Sequence, residues 1–86
     1  MNQQVVELRQ KYYALLNRLI QELKSTKATA GSAAIATTYL TYVARTSREH
    51  LDTGILTQNE ARNAVVRFFR IKEHLEDMHR ENGRVT

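Results

Sequence analysis

Residues 57–78 read TQNEARNAVVRFFRIKEHLEDM. Ala61, Ala64, Val65, Phe68, Ile71, Leu75 and Met78 recur there at steps of three and four, the spacing that gathers side chains on one face of a helix. The stretch opens on Thr57-Gln58-Asn59-Glu60. In this capping box the Thr57 hydroxyl meets the Glu60 amide and the Glu60 carboxylate reaches back. A third helix is therefore predicted from Gln58 to about Asn82, ending at Gly83.

Working outward, Thr53-Gly54 stops the preceding helix, with glycine suited to the left-handed position just past its end. Ile55 and Leu56 form a short apolar connection. Upstream, Ser32 is the expected N-cap of a second helix running to about Thr53, with Gly31 easing the entry. Its expected inward face is Ile35, Tyr39, Leu40, Tyr42 and Val43, with His50 and Leu51 near its end. The rest is mostly Ala and Thr, small enough to let a neighbouring backbone come close. The segment STKATAG (25–31) is polar and small, a connection able to reverse the chain. Before it, Val5, Leu8, Tyr12, Leu15, Leu16, Leu19 and Leu23 mark a first helix from about Asn2 to Lys24. Val6, Tyr13 and Ile20 widen its stripe to about half the circumference at ~100° per residue, enough for two neighbours. Arg9 falls inside the stripe. Its stem is expected on Tyr13 and its head in water.

Three helices with short connections predict an all-α, up-down-up antiparallel bundle over residues 1–86, with helices at about 2–24, 32–53 and 58–82. Composition agrees: the 86 residues hold no proline and three glycines, with 42% hydrophobic residues. A domain this small buries only about 60–65% of its unfolded surface, so it needs close packing or association. Completion of a larger bundle by dimerisation is one such route. Without cysteine, disulfides and thiolate metal sites are excluded. No apolar run nears the ~20 residues of a membrane span. The start, MNQQVVELRQ, lacks the basic and apolar pattern of a signal peptide, and a cytoplasmic location is the expectation.

The functional expectations are correspondingly plain. On the non-core face of the third helix, Val66 and Phe69 are neighbours three positions apart, flanked by Arg62 and Arg70. An aromatic residue among arginines has the make-up of a protein-interface anchor. This predicts a non-enzymatic binding or regulatory protein working through helix faces (an inhibitor, adaptor or immunity-type protein). Its partner would be another protein or a second copy of the chain. The alternative is nucleic-acid binding. The net charge is +4, and Arg45, Arg48, Arg62, Arg67 and Arg70 could track a phosphate backbone. Against that, Glu49, Glu73, Glu76, Asp77 and Glu81 are interleaved with them. Glu76-x-x-His79 is half of a carboxylate di-metal pattern, without matching partners elsewhere. His50, His74 and His79 suit helix ends. Tyr12, Tyr13, Tyr39 and Tyr42 are expected as core rings with hydroxyls at the rim. No nucleophile–base–orienter set and no glycine-rich phosphate loop is present, so neither catalysis nor a cofactor is expected.

Overall fold

The computed structural model describes residues 3–84. The expected helix start at Asn2 lies outside them. The described residues form α1 (Gln3–Lys24), α2 (Ala30–Asp52) and α3 (Gln58–Arg84), the predicted all-α three-helix bundle. Side-chain partners show its directions. Tyr12 of α1 meets Ser47 of α2, whereas Glu22, ten residues on, meets Tyr39. The two helices are thus antiparallel. Arg9 and Tyr13 meet Glu60 at the start of α3. Leu23, near the end of α1, faces the same groove as Ile71 and Leu75. Hence α1 and α3 run parallel, with α2 opposed to both.

The start of α2 differs from expectation. Thr29, not Ser32, is its N-cap. The Ser32 amide donates to Thr29 Oγ1 at 3.1 Å and the Thr29 amide to Ser32 Oγ at 2.8 Å. Ser32 thus fills the third helical position of a capping box usually closed by Glu or Gln. Gly31 is drawn into the first turn. The other end follows the sequence. Gly54 has φ +78°. Its amide donates to Leu51 O at 3.1 Å, and the Ile55 amide donates to His50 O at 2.8 Å. These are the paired bonds of a Schellman ending. The Thr57–Glu60 box also forms, with bonds of 3.2 and 3.1 Å. Gly83 does not stop α3, which continues to Arg84.

The core joins Tyr12, Leu16, Leu19, Ile20 and Leu23 of α1 to Ala36 and Val43 of α2. Leu56 of the second connection completes it with Ala61, Ala64, Phe68 and Leu75 of α3. Phe68 is fully enclosed. The inward face expected for α2 is corrected in two places: Ile35 is 50% and Tyr42 39% exposed. The buried seam is instead Ser32, Ala36, Val43 and Ser47, spaced by four, seven and four. Ile35 and Tyr42 each stand one position, ~100°, away from it. Small seam residues facing Ala61 and Ala64 bring α2 and α3 into the closest backbone approach in the bundle. The larger side chains of α1 hold that helix further off.

Leu8 and Met78 were also expected in the core, and both are exposed, Met78 by 44%. The reason is stagger. With Glu60 level with Arg9 and Tyr13, α1 begins below α3. At the other end α1 stops at Lys24 while α3 continues to Arg84. The described chain is accordingly long and thin, 55 × 19 × 15 Å. Leu8 and Met78 lie toward the two overhangs, where the neighbouring helix covers less of them.

Candidate functional site

The expected contact residues sit on α3 as follows. Phe69 is 45% exposed and Val66 half-buried, so nearly half of the Phe69 surface stays open to solvent. Lys72 Nζ lies 5.7 Å from the Phe69 ring centroid, and Lys72 is tied at 3.2 Å to Glu76. Arg62 is exposed. At ~100° per residue, seven residues bring Arg62 within about 20° of Phe69, and Val66 lies some 40° round from Arg62. These three form one continuous stripe. Arg70 is exposed but a quarter turn from Phe69. It lines the groove beside Leu23, Ile71 and Met78.

The five arginines proposed for phosphate contact are all exposed, yet they face several ways. Arg48 is engaged with Asp52 at 3.3 Å. The Arg45 guanidinium lies 6.0 Å from the Tyr42 ring centroid. Arg67 is three positions before Arg70 and four before Ile71, placing it toward the groove side of α3, away from Arg62. Glu76 pairs with Lys72 rather than standing beside a metal-ligating partner. Among the described residues no group of three or more His, Asp or Glu side chains converges as a metal site.

A polar node that the sequence pattern did not reveal lies at Glu60. Besides closing its own capping box, its carboxylate accepts Tyr13 OH at 2.6 Å and both arms of the Arg9 guanidinium, one of them at 2.8 Å. Arg9 Nη1 also reaches Ile55 O at 3.4 Å, and its guanidinium lies 5.6 Å from the Tyr13 ring centroid. The expectation that the Arg9 head is free in water is therefore corrected. Its stem does follow Tyr13, but its charge is held by Glu60. The Tyr13 hydroxyl bond, the Thr57 amide and Arg9 together hold the Glu60 carboxyl down at about 2, against partial desolvation. Desolvation, reinforced by the Glu60 carboxylate, raises the Tyr13 phenol above its ordinary value. A displaced pKa at a cleft would suggest reactivity. Here the displacements come from partial burial, from the α3 capping box and from the Arg9 and Tyr13 bonds that fasten α1 to the entry of α3.

The other tyrosines divide between core and surface. Tyr12 is buried, shares a hydrogen bond with Ser47 Oγ and stacks on His50 at 4.6 Å. His50 Nδ1 lies 2.8 Å from Thr46 O. A carbonyl can only accept, so Nδ1 carries the proton. Tyr39 donates to Glu22 at 2.9 Å, and that bond raises its phenol pKa. Tyr42 is corrected from core to surface. The burial of Ser32 and Ser47 was not expected, because Ser at a seam position resembles Ser on a solvated face until its partner is known.

No known protein family matches this chain, and no curated protein or solved structure shows significant similarity to it.

Proposed function

We propose that this chain is a small, non-enzymatic binding or regulatory protein of the inhibitor, adaptor or immunity type. It acts, in the cytoplasm, by docking a helix face against a protein partner. The face is Arg62, Val66 and Phe69 of α3, with Arg70 at its edge. The supporting observation is the exposure of Phe69, beside a half-buried Val66, on the side of α3 away from the buried Phe68. Leaving an aromatic ring in water forgoes favourable burial, and a partner would supply it. Arg62 can then form the polar rim typical of such contacts. A second copy of the chain is one candidate partner.

The nucleic-acid reading keeps one supporting observation. Arg45, Arg62, Arg67 and Arg70 form no ion pair with a described carboxylate. They remain available to phosphate.

One experiment addresses both readings. Tagged wild type, Phe69→Asp and an Arg45→Gln/Arg62→Gln/Arg67→Gln/Arg70→Gln variant are used to capture partners from nuclease-treated and untreated host lysate. Sedimentation of the purified proteins reports self-association. The protein-contact reading expects a stoichiometric partner, or a dimer, that survives nuclease and is lost in Phe69→Asp. Retention of every partner and of oligomeric state by a folded Phe69→Asp would overturn it. Capture that needs intact nucleic acid, weakens steeply with salt and ignores Phe69 would favour the arginine reading instead.

A further inference from the structure

The α1–α2 connection and the C-terminal half of α3 enclose a groove of about 810 Å³. Its apolar surface comes from Leu23, Ala28, Ile71, Leu75 and Met78. Leu23 and Leu75 are buried as its floor, whereas Met78 is 44% exposed along its wall. The polar lining is one-sided in charge: Lys24, Lys27 and Arg70, with His74 as a further nitrogen donor. Among the described residues no carboxylate lines the groove. None of these three cations forms an ion pair with a described acid. Outside the groove, Lys72 and Arg80 of α3 are matched by Glu76 and Asp77.

We propose that this groove binds a single-chain anionic amphiphile, a free long-chain carboxylate. Its hydrocarbon lies along Leu23, Ile71, Leu75 and Met78 and its head among Lys24, Lys27 and Arg70. Three features select that occupant. The lining joins a continuous apolar surface to unmatched positive charge, the complement of a chain with an anionic end. The stretch of α3 from Arg70 to Asn82 is about 18 Å long at 1.5 Å per residue, which suits an extended chain. The volume lies within the range of small-molecule sites, roughly 300–1,000 Å³. Arg70 is the member of the expected contact set that faces this groove. The proposal is independent of the Phe69 face.

The test uses the full chain and monomeric dodecanoate, below its aggregation threshold. The chain has two methionines, so methyl-¹³C-methionine labelling yields two signals, and Met78→Leu assigns the one that matters. The expected result is saturable one-to-one binding that shifts the Met78 methyl. Affinity should fall at least tenfold in Lys24→Gln/Lys27→Gln/Arg70→Gln and be unchanged in Phe69→Asp. Dodecyltrimethylammonium and dodecanol should bind at least tenfold more weakly, and acetate should not compete. Equal binding of the cationic or neutral amphiphile, several equivalents per chain, or an unmoved Met78 signal would overturn the proposal. So would binding to anionic vesicles with none to monomeric dodecanoate, which would mark a membrane-surface contact instead.

Discussion

Glu60 shows how much one side chain can hold. A carboxylate has about four acceptor positions, and here they serve Arg9, Tyr13 and the Thr57 amide at once. Its pKa is depressed from the ordinary 4.5 to about 2, so the sign of the pH effect follows. Above about pH 4.5 the group is ionised in both folded and unfolded chains and its full contribution is present. As pH falls from there toward 2, the unfolded chain takes up the proton first, and that contribution is lost. Glu60→Gln is predicted to cost about 1–2 kcal/mol at neutral pH, allowing for solvent screening of a partly accessible pair. It should also flatten the acid limb of stability between those pH values. Melting temperature measured against pH for the two proteins checks both. The node also marks a limit of sequence reading. The Thr57–Glu60 box was legible because its two members are local. Arg9 and Tyr13 lie 51 and 47 residues away from Glu60, and no periodicity relates them.

At the scale of the helices, the two loop-side glycines make opposite predictions. Gly54 sits at φ +78°, where an L side chain is strained. Gly54→Ala should lower stability by about 1 kcal/mol. Gly31 lies within the first turn of α2, and a Cβ there would meet Thr29 Oγ1 at 3.6 Å, an ordinary contact. Gly31→Ala should raise stability by about 0.5 kcal/mol, since alanine gives up less backbone freedom in a helix. Denaturant unfolding of both variants, with unchanged slopes, separates the two cases. This pair also explains why the end of α2 was predictable and its beginning was not. Thr-Gly announces a stop by itself, whereas Thr29 and Ser32 are both sound caps. Only the reciprocal hydrogen bonds decide which of them takes the role. The sequence also placed Ile35 and Tyr42 inside because they are large and apolar. The close contact with α3 selected the small residues beside them instead.

For the whole molecule, that close contact is a constraint on volume. Ala36 is fully buried on the seam that brings α2 near α3. Ala36→Leu is predicted to destabilise by about 1–3 kcal/mol through overpacking, although it adds apolar area. Equilibrium unfolding is the check, and a more stable variant would contradict the close approach. Three helices, their order and most of the core were legible because each rests on a pattern within one helix. The stagger was not, because it depends on how α1 and α3 are aligned along their common direction. It leaves Leu8 and Met78 uncovered, and its α3 overhang forms one wall of the groove. Phe69 was legible as an outward residue because it breaks the composition of a charged face. The cations of the groove were not, since Lys24 and Lys27 stand more than forty residues from Arg70.

The elongation described above, 55 Å against 19 and 15 Å, has a dynamical meaning. A rod tumbles slowly end over end and quickly about its own length. All three helices lie along the rod, and helical N–H bonds point nearly along the helix axis. Nitrogen-15 relaxation in solution should therefore sense mainly the slow tumbling throughout the helices. Any amide of the two connections that turns away from the helical direction should report faster reorientation even where it is firmly held, so a low relaxation ratio there would reflect direction rather than looseness.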